Sequence, residues 1–327
     1  MNIFRRAART LRSTLSDILT TYRWKRILSR LNLQLLSTLK PRKVFTVTNG
    51  KSLFVLKLTT QQGLFFLRDW LPHVQAHFEN QLVFPELVAC GEFSREKNWA
   101  LTTWIDGDSL ASIFDDRDPD SSTWGGRGVT QHHLDIFFRA LTALSTLSLG
   151  PNTLREPIVT DYVLSGPRLQ QRIYSYVHRL SSRGLLHLDQ LHLILHWCEP
   201  LLVEPSDKQL LFTNGDFQFR NLVVLNDDRV GIIDWDTARF SHFEIEHCIT
   251  YQTILLWANL AAQTALIHRS RNLFDWDDRI MHAYCVFNVL GRMVSYSRNP
   301  QLCHHFGTLL ANLLRGVSWE ETIGAHI

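Results

Sequence analysis

The first forty residues contain neither Gly nor Pro, and their apolar side chains recur every three or four positions. The first run consists of Phe4, Ala8, Leu11, Leu15, Ile18 and Tyr22, and the second of Trp24, Ile27, Leu28, Leu31, Leu35 and Leu39. This period places the apolar side chains of each run on one stripe of an α-helix. Pro41 is expected to end the helix, because proline lacks the amide hydrogen that a helix interior needs. The pattern therefore predicts an amphipathic helical segment over residues 1–43.

From Val44 onward the apolar pattern becomes that of short strands. The runs Val44–Thr48 and Leu53–Leu58 flank the dipeptide Asn49-Gly50. That dipeptide is a strong signal for a β-hairpin in which both turn residues have positive φ. A helix is predicted next, over about residues 62–78, with a break near Pro72.

Two further strand-like runs, at about residues 82–89 and 99–105, complete a small β-rich lobe over residues 44–105. The remainder, residues 106–327, is mostly helical. Helices are predicted at about 130–147, 168–182, 187–203, 244–266, 278–297 and 303–315, with strands at Leu210–Phe212, Leu222–Leu225 and Val230–Ile233. This order predicts an α+β, bilobal chain with a small β-rich N-terminal lobe, a larger helical C-terminal lobe and an added basic N-terminal helix. The alternation of a doubly wound sheet is absent from the pattern.

Charge is distributed unevenly along the chain. Residues 1–43 carry eleven Arg and Lys and one acid, Asp17, so this segment has a formal charge of +10, whereas the rest has −7. A basic amphipathic helix fits two roles, an interfacial helix on an anionic membrane or a surface that packs on the N-terminal lobe or on a second copy. Both roles stay open at this stage, and no nucleic-acid partner is expected.

Several classes of protein are disfavoured. No stretch reaches 18 uninterrupted apolar residues, so no transmembrane helix is predicted. The basic start is not followed by the compact apolar region of a signal peptide. The five cysteines are far apart and never form a CxxC pair, which indicates reduced thiols and not a disulfide framework or a zinc site. We therefore expect a cytoplasmic protein, with peripheral contact at the inner membrane surface as the alternative that the basic helix raises.

The most informative segment is FTNGDFQFRNLVVLNDDRVGIIDWDTAR, residues 212–239. Asp216 lies five residues before Asn221, which opens the first strand of a predicted hairpin, and Asp234 follows the returning strand. The two ends of an antiparallel hairpin lie side by side, so Asn221 and Asp234 are expected to be close. Three oxygen-bearing side chains therefore converge on one edge of the hairpin.

Phosphoryl transfer needs such a set of side chains. A carboxylate must orient and deprotonate the attacking hydroxyl, and hard oxygen ligands must hold Mg²⁺ on the phosphates. The protein-kinase pattern H-R-D-x-x-x-x-N, followed by a metal-binding Asp, has the same Asp-to-Asn spacing. This comparison predicts Asp216 as the catalytic base and Asn221 and Asp234 as ligands of Mg²⁺.

The same segment resembles the aminoglycoside phosphotransferases and their relatives, the choline, homoserine and sugar kinases. Their signature is H-G-D-x-x-x-x-N, then a hydrophobic strand and I-D-[WF]-[DE]-x-A. Residues 214–221 (NGDFQFRN) and 233–238 (IDWDTA) match it at nearly every position. The resemblance implies a kinase-like fold and an ATP- or GTP-dependent, magnesium-requiring transfer to a hydroxyl of a small molecule such as an aminoglycoside, a sugar or an amino alcohol.

The resemblance extends to the N-terminal lobe. Lys57 lies in the strand Leu53–Leu58, as the phosphate-binding lysine does in kinase-like lobes. Residues 101–110 resemble the hinge, in which backbone groups of Thr103, Trp104 and Ile105 would contact the nucleotide base. Asp69 and Glu79 are both candidates for the acidic partner of Lys57, and the sequence leaves that partner open.

Two positions depart from the family signature. Asn214 replaces the usual His, and an amide side chain can make similar hydrogen bonds, so weakened activity is expected and not its loss. Glu244 or Glu246 stands where the family has an Asp that starts a helix, and we expect it to anchor that helix. The alternative function is a pseudokinase or scaffold that keeps the fold and binds a partner or membrane through its N-terminal helix.

Overall fold

The computed structural model describes residues 19–40, 43–78, 81–95, 97–110, 131–146, 166–203, 211–226, 229–242, 244, 268–275 and 277–324. The chain divides into two compact units. The first consists of Met1–Glu79 and Val83–Asp106, and the second of Asn80–Leu82 and Gly107–Ile327.

The elements up to residue 110 are α1 (residues 19–30), β1 (Gln34–Lys40), β2 (Val44–Thr48), β3 (Leu53–Thr59), α2 (Gln61–Phe65), a π-turn (Phe66–Trp70), α3 (Leu71–Phe78), β4 (Leu82–Val83), β5 (Leu87–Ser94), β6 (Lys97–Thr103) and β7 (Asp108–Ser109). Five of the strands form an antiparallel sheet in the order β1-β2-β3-β6-β5. This sheet is the framework of the first unit.

The helix predicted over residues 1–43 is wrong at its C-terminal end. Helix α1 ends at residue 30, Asn32 adopts a left-handed conformation with φ 52°, and Gln34–Lys40 pair with β2 as an edge strand. Leu35 and Leu39 sustained the helical spacing in the sequence, yet both are half exposed on this strand. The helical spacing of these two leucines therefore did not indicate a buried helix face. The segment pairs with β2 as a strand instead. The part of the first predicted run up to Ile18 lies outside the described residues, and its last position, Tyr22, is in α1.

The predicted β2–β3 hairpin is confirmed, but its turn differs from the prediction. Thr48 pairs with Leu53, so the loop contains four residues, and only Gly50 has positive φ (87°). The Asn49 side chain accepts hydrogen bonds from the backbone amides of Lys51 (3.0 Å) and Ser52 (2.9 Å). Asn49 therefore caps the loop through its side chain and has no need of the left-handed conformation.

The predicted helix near residues 62–78 is present, but the predicted break near Pro72 is wrong, because the helix continues through Pro72 after a π-turn over Phe66–Trp70. The Leu71 amide bonds to the Phe66 carbonyl, five residues back. Pro72 follows at once, and proline cannot supply an amide hydrogen to a preceding carbonyl. The wider turn lets the chain continue as a helix past Pro72.

The two faces of the first-unit sheet differ in chemistry because strand side chains alternate. One face carries a core cluster of Phe45, Val47, Leu56, Phe93, Trp99 and Leu101, and α1 covers it with Trp24. The ring centroid of Trp24 lies 5.0 Å from that of Phe45 and 4.6 Å from that of Phe93. The opposite face carries buried Lys57 together with Thr46 and Thr102.

The second unit is mainly helical. Its further elements are α4 (Gln131–Ser145), α5 (Gly166–Ser181), a 3₁₀ turn (Leu188–Gln190), α6 (Leu191–Trp197), α7 (Glu199–Leu202), β8 (Leu211–Thr213), a 3₁₀ turn (Phe219–Asn221), β9 (Leu222–Val224), β10 (Val230–Ile232), a 3₁₀ turn (Trp235–Thr237), β11 (Arg239–Ser241), α8 (residues 268–273), α9 (Asp278–Ser295), α10 (Pro300–Leu314) and α11 (Trp319–Gly324). The strands form a four-stranded sheet, β4-β10-β9-β7, and a two-stranded ribbon, β11-β8.

Most helices predicted after residue 130 are confirmed within a few residues, namely α4, α5, α9 and α10. The segment predicted as one helix over residues 187–203 is instead divided into a 3₁₀ turn, α6 and α7, with Pro200 in the first turn of α7. The helix predicted over 244–266 lies outside the described residues except for residue 244. None of the helices in the described ranges is both long and apolar enough to cross a membrane.

Candidate active site

The loop that carries Asp216 follows β8 and begins with a tight turn. Gly215 has φ 74°, and a β-carbon at this position would lie 2.2 Å from the Thr237 carbonyl oxygen. Only glycine fits here. In other residues the left-handed φ is energetically unfavourable, and their β-carbon would collide with the Thr237 backbone. The Arg239 guanidinium donates to the Gly215 carbonyl at 3.0 Å and fixes this turn from β11.

The Asp216 carboxylate is about three-quarters buried and receives three side-chain hydrogen bonds. Gln218 donates to its Oδ1. Asn221 Nδ2 donates to its Oδ2 at 3.1 Å, and Arg220 Nη2 approaches the same oxygen at 3.3 Å. These donors hold the carboxylate in one orientation while a quarter of the side chain stays accessible.

Asn221 is almost completely buried and is tied to the Asp216 loop. Its Nδ2 also donates to the Asp216 carbonyl, at 2.8 Å. Because the nitrogen of the amide is committed to Asp216, the Oδ1 of Asn221 is the group that can serve as an oxygen ligand. The sequence spacing of five residues thus corresponds to a direct contact between the two side chains.

Asp234 follows β10, as predicted, and its backbone neighbours Asn221. Ile232 pairs with Leu222, and the Ile233 amide donates to the Asn221 carbonyl at 2.9 Å. Asp234 has φ 62° and ψ 64°, a left-handed conformation that is uncommon outside glycine. Backbone strain of this kind is typical of functional positions that the surrounding structure holds in place.

Asn214, which replaces the family histidine, joins the two motifs. Its side chain is completely buried, and its Nδ2 lies 3.4 Å from the carbonyl oxygens of both Ile233 and Asp234. Its Oδ1 accepts from the Asp216 amide at 3.2 Å. Asn214 therefore connects the backbone of Asp216 to that of Asp234, which is a positioning role that needs no reactive ring.

Aromatic side chains anchor the Asp216 loop through packing contacts. Phe217 and Phe219 alternate with the polar residues of the motif, and both rings pack on Phe137 of α4 at 5.1 Å and 5.2 Å between centroids. On the other side, the buried Trp235 stacks on Phe212 of β8 and donates to the Ile232 carbonyl at 2.7 Å. The loop is thus anchored by apolar burial, with its polar side chains left on the site.

Lys57 lies in β3 of the first unit, opposite Val44 and Ala100, with only 8% of its surface exposed. Of the two acids considered as its partner, Asp69 forms a bidentate ion pair with its neighbour Arg68, at 2.8 Å and 2.7 Å. The Asp69 carboxylate is therefore occupied by another cation. Glu79 lies outside the described residues.

The hinge residues continue from β6. The Thr103 amide donates to the Glu86 carbonyl at 2.9 Å, and the Trp104 amide donates to the Leu53 carbonyl at 3.3 Å. Both amides are therefore used by the sheet. Within the described residues, Ile105 makes no hydrogen bond, so its amide is a donor that a nucleotide base could use.

Glu244 contacts the start of α9, whereas the helix that it was expected to anchor, over 244–266, lies outside the described residues beyond residue 244. Its Oε1 accepts a hydrogen bond from the Asp277 amide at 3.2 Å, directly before α9. Burial raises the pKa of the Glu244 carboxyl, with backbone hydrogen bonds acting in the opposite direction. The other candidate, Glu246, lies outside the described residues.

Three side chains that hold the Asp216 loop were not predicted from the sequence. They are Gln218 and Arg220 of the loop and Arg239 of β11. Arg220 stands four positions after Asp216, and that spacing was visible in the sequence. Arg239 could not be found in this way, because it reaches Gly215 only through the pairing of β11 with β8.

The donor set suits magnesium. In the part of the chain that the structure describes, no group of three or more His, Cys, Asp or Glu side chains is arranged to hold a metal ion. Asp234 and Asn221 instead offer one carboxylate and one amide oxygen, which is a partial ligand set. Mg²⁺ is commonly bound by one or two protein oxygens and completed by phosphate oxygens and water.

The chain is similar in fold to solved structures of aminoglycoside phosphotransferases. The chain is similar in fold to a thermostable mutant of the aminoglycoside phosphotransferase APH(4)-Ia in a complex with ADP and hygromycin B (TM-score 0.58, 15% identity, 89% of this chain and 97% of that one). It is also similar to a putative aminoglycoside phosphotransferase from Ralstonia eutropha (TM-score 0.55, 12% identity, 93% and 98%). A third similar structure is the GDP and kanamycin complex of APH(2")-IIIa (TM-score 0.54, 15% identity, 87% and 93%).

No curated protein matches significantly in sequence. The sequence model of the phosphotransferase enzyme family, APH, matches residues 33–293, which is most of the chain. These residues include the Asp216 loop and the hairpin that presents Asn221 and Asp234. The chain therefore belongs to the phosphotransferase enzyme family.

Proposed function

We propose that this protein transfers the γ-phosphoryl group of a nucleoside triphosphate to a hydroxyl group of a small molecule. The observation that carries the proposal is the contact between the Asp216 and Asn221 side chains within a loop that Asn214 connects to Asp234. An ordinary surface loop has no need of a buried amide bridge between a carboxylate loop and a strained aspartate.

Asp216 is the base in this proposal. Its carboxylate accepts the hydrogen of the acceptor hydroxyl, orients the oxygen for in-line attack and takes the proton as the bond to phosphorus forms. Gln218, Arg220 and Asn221 restrict the rotation of the carboxylate, so that less conformational entropy is lost when the acceptor binds. A positioned base of this kind typically contributes about 10²–10⁴-fold to the rate.

Asn221 and Asp234 are the residues that would hold Mg²⁺, which supplies charge neutralisation at the phosphate oxygens. Asn221 is prepared for this role because its Nδ2 is bound to Asp216 and its Oδ1 is left as the ligand. Asp234, whose backbone is left-handed, would supply the carboxylate ligand.

Lys57 is the phosphate-binding lysine of the proposal, and the backbone of Thr103, Trp104 and Ile105 is the binding segment for the base. Among the described residues, the Ile105 amide has no hydrogen-bond partner and could donate to the base. Similar structures contain ADP or GDP, so ATP and GTP are both candidate donors for this chain. The acceptor class to examine first is the aminoglycosides, because similar structures hold hygromycin B and kanamycin.

The rival function is a pseudokinase or scaffold. It was suggested by the replacement of the family histidine and by the unassigned partner of Lys57. The first ground is weak, because Asn214 makes hydrogen bonds to both motifs. Nucleotide binding measured by calorimetry with and without Mg²⁺ separates the two functions, since a phosphotransferase needs the metal complex of the nucleotide.

The direct test is phosphorylation of a panel of aminoglycosides, sugars and amino alcohols by the full-length chain with ATP or GTP. Asp216→Asn should reduce turnover by about 10²–10⁴-fold while nucleotide affinity changes little. Asp189→Asn, an exposed aspartate on the 3₁₀ turn before α6, is the matched control and should retain full turnover.

Asp234→Ala should abolish the Mg²⁺-dependent tightening of nucleotide binding, because one of few protein ligands is lost. Full turnover in the Asp216 variant would contradict the assignment of the base. Unchanged metal dependence in the Asp234 variant would remove that residue from the metal site.

A further inference from the structure

A second site candidate lies in the first unit, on the sheet face away from Lys57. Helix α1 and the β5–β6 hairpin enclose a half-open cavity of about 250 Å³. Its described lining includes Arg23, Arg26, Arg30, Glu92, Phe93 and Trp99. Trp99 pairs with Leu58, the neighbour of Lys57, and strand side chains alternate, so the cavity and Lys57 are on opposite faces of the sheet.

The three arginines occupy one stripe of α1. Residues spaced by three and by four positions lie one above another on a helix, and Arg23, Arg26 and Arg30 have this spacing. In the part of the chain that the structure describes, no carboxylate lies within 4.0 Å of the Arg26 or Arg30 guanidinium. Like charges at these spacings repel one another, so the stripe is a place where an added anion is favourable.

The cavity is shaped for a small group. Phe93 and Trp99 are buried at its floor, and the Arg23 guanidinium stands over the Phe93 ring at 5.6 Å from the centroid. This cation–π contact holds Arg23 at the cavity wall. Glu92 contributes one carboxylate to the lining, which leaves the arginines in excess. The volume is below the 300–1,000 Å³ typical of pockets for drug-sized ligands, so a compact anion suits it better than a whole nucleotide.

We propose that this arginine groove binds a phosphate ester, with the guanidiniums of Arg23, Arg26 and Arg30 on the phosphate oxygens. The planar fork of arginine matches phosphate geometry, and the apolar floor excludes water and strengthens the electrostatic attraction. The phosphate is carried either by an anionic phospholipid headgroup or by a soluble ester. Leu19 occupies the same helical stripe and is 57% exposed, which provides an apolar group beside the cations. The groove shares no residue with the Asp216 site, and its proposed function does not depend on the proposed phosphoryl transfer.

The test uses the full-length chain with two probes. The first is vesicles of phosphatidylcholine with and without phosphatidylglycerol, measured by co-sedimentation. The second is soluble glycerol phosphate, measured by calorimetry. The groove variant carries Arg23→Gln, Arg26→Gln and Arg30→Gln. The matched control removes the same charge from the same unit at exposed positions outside the described lining, through Lys25→Gln, Lys43→Gln and Lys97→Gln.

The groove variant should bind phosphatidylglycerol vesicles or glycerol phosphate on the order of 100-fold more weakly, whereas the control should lose less than about tenfold. Loss confined to vesicles identifies a lipid headgroup, and loss with the soluble ester identifies a free metabolite. Equal loss in both variants would show attraction by overall charge alone and overturn the proposal. Absence of binding to both probes by the unmodified chain would overturn it as well. A double variant, Arg26→Gln with Arg30→Gln, keeps the Arg23–Phe93 contact and should give the same ranking if the triple variant folds poorly.

Discussion

Two loops with a left-handed glycine, one in each unit, are stabilised in different ways. The Asn49–Ser52 loop of the first unit is held by bonds of Thr48 and Asn49 to backbone groups at most four residues away. The Asn214–Asp216 loop of the second unit has local bonds as well, but it is also held by bonds to residues 19 to 24 positions away. The first loop is a local structure that closes a hairpin. The second depends in addition on distant parts of the chain that have come together.

The difference has a functional meaning. A local loop needs only to reverse the chain, so it can be exposed and tolerant of substitution. A loop that presents a catalytic carboxylate, as we propose for Asp216, must hold its position against thermal motion, and that requires neighbours that are themselves fixed. The second loop should therefore be the more sensitive to every change that reaches its backbone.

The largest effect is expected for the glycines themselves. Gly215→Ala should cost on the order of 5 kcal/mol and most of the turnover, because left-handed φ and a 2.2 Å approach to the Thr237 carbonyl oxygen cannot both be relieved. Gly50→Ala is the matched change, with φ 87° and no atom within 4 Å of the added carbon. It should cost only about 1–2 kcal/mol. Denaturant unfolding and turnover should be measured for both variants. Equal losses of unfolding free energy in Gly215→Ala and Gly50→Ala would contradict the prediction.

Trp24→Ala tests whether the first unit also depends on long-range contacts. Trp24 is 6% exposed and joins α1 to the sheet through Phe45 and Phe93. Its truncation should cost about 3–5 kcal/mol of stability. Leu35→Ala, on the exposed edge strand β1, should change stability by less than about 0.5 kcal/mol. Hydrogen exchange of first-unit amides should report the loss, and protection equal to the unmodified chain would mean that α1 is not part of this core.

A pH effect is expected from His242 in the second unit. The ring is buried against the Tyr284 hydroxyl at 3.2 Å, and burial lowers its pKa from 6.5 to about 4, with Asp277 opposing the shift. As the pH falls from about 6.5 to about 4, the unfolded chain takes up a proton at this ring and the folded chain does not. Stability should therefore decrease over this window, by about 3 kcal/mol in total from this group.

His242→Gln keeps a hydrogen-bonding group without the titration, so its stability should depend less steeply on pH between 4 and 6.5. Thermal unfolding at a series of pH values measures this slope. The buried His282, whose pKa is also lowered, should leave part of the slope in place. A slope unaffected by the substitution would assign the acid sensitivity to other groups.

The smallest effect concerns the two asparagines that organise the loops. Asn214→Ala removes the bridge between Asp216 and Asp234 and leaves buried backbone groups with fewer partners, at a cost of about 1–3 kcal/mol together with reduced turnover. Asn49→Ala removes only exposed, local bonds and should cost less than about 1 kcal/mol with little change in turnover. If both variants kept normal turnover, the positioning role of Asn214 would be wrong.

Much of the fold was predictable because its signals are local. The β2–β3 hairpin, α4, α5, α9 and α10 were recognised from apolar spacing and turn residues. The phosphotransferase family was recognised from the Asp216 and Asp234 motifs, and the family match agrees. Edge strand β1 was missed because its leucines have helical spacing, although the left-handed Asn32 ends the helix before them.

Three features follow from residue order alone, namely the alternation of the strands, the stripe of α1 and the five-residue spacing from Asp216 to Asn221. These depend on neighbours along the chain. The tertiary structure alone decided that Asn214 reaches Asp234, that Arg239 fixes Gly215 and that Trp24 covers the first-unit sheet. Such contacts join residues far apart in sequence, and their partners become near only after loop closure and burial have been completed. No local spacing encodes them, so the arrangement of the candidate site was visible only in the folded chain.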